Sequence, residues 1–162
     1  FMDLVLQIKP TQVTLVPDAD DAITSNAGWN TVKHKDFLID VIQECKKNGI
    51  RTSIFVDPIL EMIDGAKETG TDRIELYTEE FAKQYGLGNK NAIKPYVASA
   101  VLANEIGLGI NAGHDLSLQN IQFFAQNIPN LLEVSIGHAL ITESLYLGLE
   151  NVVNMYKHKL KV

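Results

Sequence analysis

Residues 107–120, GLGINAGHDLSLQN, carry an apolar run straight into Gly113-His114, and residues 132–145, LEVSIGHALITESL, do the same at Gly137-His138. The chain has only four histidines, and two of them follow a glycine where an apolar run stops. Three further β-rich runs precede these two: QVTLVPD (12–18), RTSIFVD (51–57) and RIELYTE (73–79). Helical periodicity fills the intervals. Phe37, Leu38, Val41 and Ile42 lead to a stop at Gly49, and Ala92, Ile93, Val97, Val101 and Leu102 to one at Gly107. Leu116, Ile121, Phe124 and Ile128 mark a further helix halted by Pro129, and Leu145, Leu149, Val152, Val153 and Tyr156 mark the last. The order is βα repeated five times, which predicts a parallel sheet whose strand C-termini share one rim.

That rim is where α/β proteins hold their ligands. His114 and His138 end adjacent strands there, and Asp18, Asp57 and Glu79 occupy the equivalent positions on the other three. Strand alternation in RIELYTE sets Ile74 and Leu76 on one face and Glu75 and Tyr77 on the other. In a barrel the second face is the interior, where an unpaired carboxylate is costly and therefore informative. Gly113 and Gly137 either let the backbone approach a ligand, with helix-start N–H groups holding a dianion, or simply turn the chain. His34 (VKHKD) and His158 (YKHKL) sit in polar surroundings and read as solvated helix residues.

At 162 residues, 46% apolar and 21% charged, the chain has the size and composition of one globular domain. A net charge of −6 argues against nucleic acid or an anionic membrane as partner. A single cysteine, Cys45, excludes an intramolecular disulfide, and no apolar run reaches the length of a membrane span, so a cytoplasmic protein is expected. The opening FMDLVLQIKP lacks an initiator Met and reads as the tail of a helix, as in a chain whose earlier residues are absent. Five βα units fit either a flavodoxin-like open sheet or part of a (β/α)8 barrel. The open sheet needs nothing more than these residues. The mid-helix opening and the rim composition favour the barrel: Asp20-Asp21 resembles the acid pair of a receiver domain, but no lysine follows the fifth strand. PDADDAITSNAG is too acidic for a flavin phosphate loop.

TLVPD, AITSNAGW, SIFVD, IELYTE, GINAGHDLS and SIGHALI, in that order, resemble the pyridoxine 5′-phosphate synthase family. The resemblance runs along the whole chain and matches about the C-terminal two-thirds of a member. It implies an α/β fold, a (β/α)8 TIM barrel of which residues 1–162 form a single partial domain with strands four to eight and their helices. It further implies condensation of 1-deoxy-D-xylulose 5-phosphate with 3-amino-2-oxopropyl phosphate by acid/base catalysis, with no metal and no organic cofactor.

Position by position, the resemblance makes His114 the proton donor and Glu75 a carboxylate that stabilises the transition state. Thr24 contacts the deoxyxylulose phosphate, Gly137 and His138 bind phosphate, and position 115 contacts ligand. Here that position is Asp115 where relatives carry glycine, and Tyr77 and Glu79 replace a histidine and a glycine of IEIHTG. The family's basic histidine, second glutamate and phosphate-gripping arginines belong to earlier strands, so the 162-residue chain alone is expected to be inactive. Its partners by resemblance are small phosphorylated substrates and copies of itself in an octamer built from dimers. A non-catalytic module that binds a phosphorylated metabolite, or a flavodoxin-like domain, is the alternative function.

Overall fold

The computed structural model describes residues 1–17 and 25–161. Five strands, β1 (Gln12–Leu15), β2 (Arg51–Val56), β3 (Arg73–Tyr77), β4 (Gly109–His114) and β5 (Leu131–Ile136), pair in sequence order, all parallel. The outward residues Val13, Leu15, Ile54, Val56, Ile74, Leu76, Ile110 and Ala112 are buried in one apolar core beneath the helices. Alternation then turns Gln12 and Thr14, Arg51, Ser53 and Phe55, Arg73, Glu75 and Tyr77, Asn111 and Gly113, and Glu133 and Ser135 to the inner face.

The sheet is strongly curled. Four strand spacings would hold the edge strands of a flat sheet about 19 Å apart. Here Gln12 Nε2 of β1 donates to Glu133 Oε2 of β5 at 3.2 Å, across the concave face. Arg51 (3.2 Å) and Arg73 (2.9 Å) close on the same Glu133 carboxylate, and Asn111 joins them. The two arginines lie at strand starts, and their side chains turn inward to form the floor of the half barrel.

Helices α1 (Met2–Ile8), α2 (Lys35–Lys47), α3 (Leu60–Glu68), α4 (Glu79–Gly86), α5 (Lys94–Glu105), α6 (Ile121–Asn127), α7 (His138–Leu147) and α8 (Leu149–Lys159) cover the convex side. The opening residues are helical, as their spacing predicts. Gly107, past the end of α5, has φ +73°, the left-handed conformation that a helix stop uses. The last periodic run, read as one helix, is two: Gly148 at φ +82° separates α7 from α8. His34 precedes α2 rather than lying within it, and its ring meets Trp29 edge-on, with centroids 5.4 Å apart.

The segment 25–30 crosses the end of β2. Gly28 N–H donates to Asp57 (3.0 Å) and Trp29 N–H to the Phe55 carbonyl (2.8 Å). A Cβ on Gly28 would meet Val56 Cα at 2.5 Å, backbone that has no room to move. Gly28→Ala is therefore expected to lower unfolding free energy by about 1–3 kcal/mol in chemical denaturation; an unchanged midpoint would show that this crossing is not tightly packed.

Candidate functional site

Glu75 sits midway along the concave face and is 6% exposed. Its Oε2 accepts hydrogen bonds from Thr14 Oγ1 of β1 and Ser135 Oγ of β5, both at 3.2 Å. One carboxylate on the central strand thus ties together both edges of the curled sheet. Burial pushes its carboxyl above the usual range; the two hydroxyls and His114 act in the opposite direction, and Glu133 adds to the rise.

Gly113 is what lets Glu75 lie there. A Cβ at this position would fall 2.8 Å from Glu75 Oε1 and 2.6 Å from the Ser135 carbonyl. Gly113 lies within β4 rather than in a turn, and it makes room for the neighbouring carboxylate. Gly137 differs, since a Cβ there meets no atom within 4 Å. It caps α7 at the mouth of the cleft, where the first N–H groups of any helix have no intrahelical acceptor.

His114 ends β4 with φ +94°, a conformation that strains a non-glycine residue by about 1–3 kcal/mol. Thr78 braces it from both sides. Its hydroxyl donates to the Gly113 carbonyl at 2.7 Å and accepts the Asp115 N–H at 3.3 Å. The ring is braced as well: Nδ1 lies 2.8 Å from Asp115 Oδ2, the Tyr77 ring stands edge-on at 5.7 Å, and the His138 ring at 5.9 Å. Tyr77 O–H donates to Glu79 at 2.5 Å, and burial together with that carboxylate keeps it a phenol well above neutral pH.

Thr14, Ser25, Glu75, His114, Ser135, Gly137 and His138 line one cleft of about 880 Å³ at the strand C-termini. The structure therefore brings together Glu75, His114, Gly137 and His138, with Asp115 adjoining through His114. Thr24 lies outside the described residues, next to Ser25. Asp57 and Glu79, expected on the rim, are there, engaged with Gly28 N–H and the Tyr77 hydroxyl. Sequence reading missed Thr14, Ser135 and Thr78. Strand parity was the available signal for the first two, since both share the inward register of Glu75. Among the described residues no cluster of His, Cys, Asp and Glu suits a metal ion, and no helix is long and apolar enough to cross a membrane.

Because the folded chain raises the Glu75 carboxyl, it holds a proton that the unfolded chain has already released. The stability this group contributes is complete below the ordinary glutamate value of about 4.3 and is lost as pH rises through the folded value. Glu75→Gln should thus raise the denaturation midpoint at pH 8, with the difference from wild type shrinking toward pH 4. A difference that grows on acidification would contradict the buried-carboxylate description.

Comparison with known proteins identifies the family of the chain. The profile of the family described as pyridoxal phosphate biosynthesis protein PdxJ matches residues 1–162. A Flavobacterium johnsoniae protein named pyridoxine 5′-phosphate synthase is 76% identical over 161 residues, and a Christiangramia forsetii protein of the same name is 66% identical. Each alignment covers 99% of this chain and 68% of the relative. Among solved structures, the crystal structure of the Amycolatopsis orientalis BexX/CysO complex contains a chain similar in fold alone, with TM-score 0.59 and 18% identity over 98% of this chain and 59% of that one. With a family profile matched end to end and relatives this similar, the chain belongs to the pyridoxal phosphate biosynthesis protein PdxJ family.

Proposed function

We propose that this chain forms the greater part of a pyridoxine 5′-phosphate synthase, supplying strands four to eight of a (β/α)8 barrel. The reaction joins 1-deoxy-D-xylulose 5-phosphate to 3-amino-2-oxopropyl phosphate and releases pyridoxine 5′-phosphate, inorganic phosphate and water. The observation that carries the reading is the meeting of a buried carboxylate, Glu75, and a braced imidazole, His114, in one cleft with the start of α7.

Ring closure requires protons to move at carbonyl, amine and departing oxygens, the work of groups that exchange protons near neutral pH. Glu75, whose carboxyl burial raises above the usual range, suits both proton transfer and stabilisation of positive charge that develops during condensation. His114 donates a proton to a departing oxygen, at the rim of the same cleft. Gly137 and His138 hold a phosphate, the glycine leaving space for it and the helix start offering N–H groups and the positive end of its dipole. Thr24 adds a hydroxyl contact to the deoxyxylulose phosphate. Position 115 contacts ligand through its N–H, which already shares a long bond with Thr78. The chemistry is carried by side chains, with no cofactor.

The reading includes a homo-oligomer, a cytoplasmic location and an inactive isolated chain. The exposed Ile141, Leu145 and Tyr146 of α7 support association, and both arginines are committed to Glu133, away from the phosphate end of the cleft. In protein of the relatives' full length, His114→Ala should lower turnover roughly 10²-fold or more. The 162-residue chain alone should show none. Turnover unaffected by His114→Ala, with only affinity for a phosphorylated ligand reduced, would instead make this a binding module.

A further inference from the structure

The geometry points to Asp115 as the positioning residue of His114: its carboxylate holds the imidazole as the Nδ1–H tautomer, so that Nε2 is the nitrogen that exchanges a proton with substrate. This rests on the synthase reading of His114. Asp115 follows the histidine directly, and such neighbours ordinarily point apart along an extended chain. Here the φ of +94° at His114 breaks the strand, and Asp115 Oδ2 comes to 2.8 Å from Nδ1. The arrangement is built from several elements. Thr78, at the end of β3, clamps the peptides on both sides of His114, and Asn120 Nδ2 donates to the Asp115 carbonyl at 3.4 Å.

A carboxylate can accept but not donate, so a neutral His114 meets it only with the proton on Nδ1. Among the described residues, Asp115, Glu75, Tyr77 and His138 face the ring. Tyr77 and His138 stand edge-on and limit the ring's rotation. The same contact resolves a conflict at the ligand: a free carboxylate beside a phosphate would repel it, whereas one turned onto His114 Nδ1 places its charge behind the imidazole. An imidazolium formed at Nε2 is stabilised from behind by this anion, as in other carboxylate-oriented histidines.

The test uses protein of the relatives' full length, labelled with nitrogen-15 at histidine, with the His114 signals assigned by their loss in His114→Gln. The wild type should show the Nδ1–H tautomer at His114. Asp115→Gly should shift it toward Nε2–H, lower kcat roughly 10–100-fold and leave KM unchanged. Asp115→Asn keeps the side-chain shape without the charge, and should move both readouts in the same direction if the glycine variant fails to fold. A tautomer indifferent to both substitutions, or a raised KM with kcat intact, would overturn the assignment. A tautomer that responds in a protein without synthase turnover supports the role of Asp115 and counts against the synthase reading alone.

Discussion

One carboxylate organises this structure. Glu75 lies on the central strand, yet it accepts hydrogen bonds from the first strand and the last, through Thr14 and Ser135. That is possible only because the sheet curls until its edges face one another across the concave side. Removing such an acceptor would leave two inward hydroxyls without it, and removing the curl would strand a buried charge. Gly113 is required by the same constraint, since any larger residue would collide with the carboxylate or with the Ser135 carbonyl. Below Glu75, the contacts of Gln12, Arg51, Arg73 and Asn111 with Glu133 repeat the theme with full ionic groups.

Strain and electrostatics then divide the labour at the rim. Holding His114 at positive φ costs free energy that the Thr78 clamp and the packing around it must offset. In return the imidazole projects from the last residue of β4 into the cleft, between Tyr77 and His138. Tyr77, Glu79 and Asp115 gather around one histidine. They are contiguous in space: Glu79 binds the Tyr77 hydroxyl, Tyr77 meets the His114 ring, and Asp115 binds its Nδ1. The three side chains form one connected set around His114.

Much of this was legible from residues alone. Alternation placed Glu75 and Tyr77 on the inner face opposite Ile74 and Leu76, and the Gly-His pairs marked two adjacent strand ends. What was not legible depends on contacts between distant elements. Thr14 and Ser135 are unremarkable until curvature brings them to the same oxygen. The reason for Gly113 lies on strands β3 and β5, not in its own neighbours. Leu145, Leu149 and Val152 keep helical spacing across Gly148, so periodicity cannot register the break there. His34 looked solvated because its sequence neighbours are polar, whereas its ring contact is with Trp29.

The central claim is that folding buries the Glu75 carboxyl and thereby raises its proton affinity above that of an exposed glutamate. Carbon-13 NMR titration of the glutamate side-chain carboxyls, in protein of the relatives' full length, tests this directly. One resonance, absent from Glu75→Gln, should titrate above the ordinary glutamate range. A Glu75 resonance that titrates with the exposed glutamates would contradict the account, because a carboxylate so placed would be solvated, and the geometry that joins it to Thr14, Ser135 and His114 would not hold in solution.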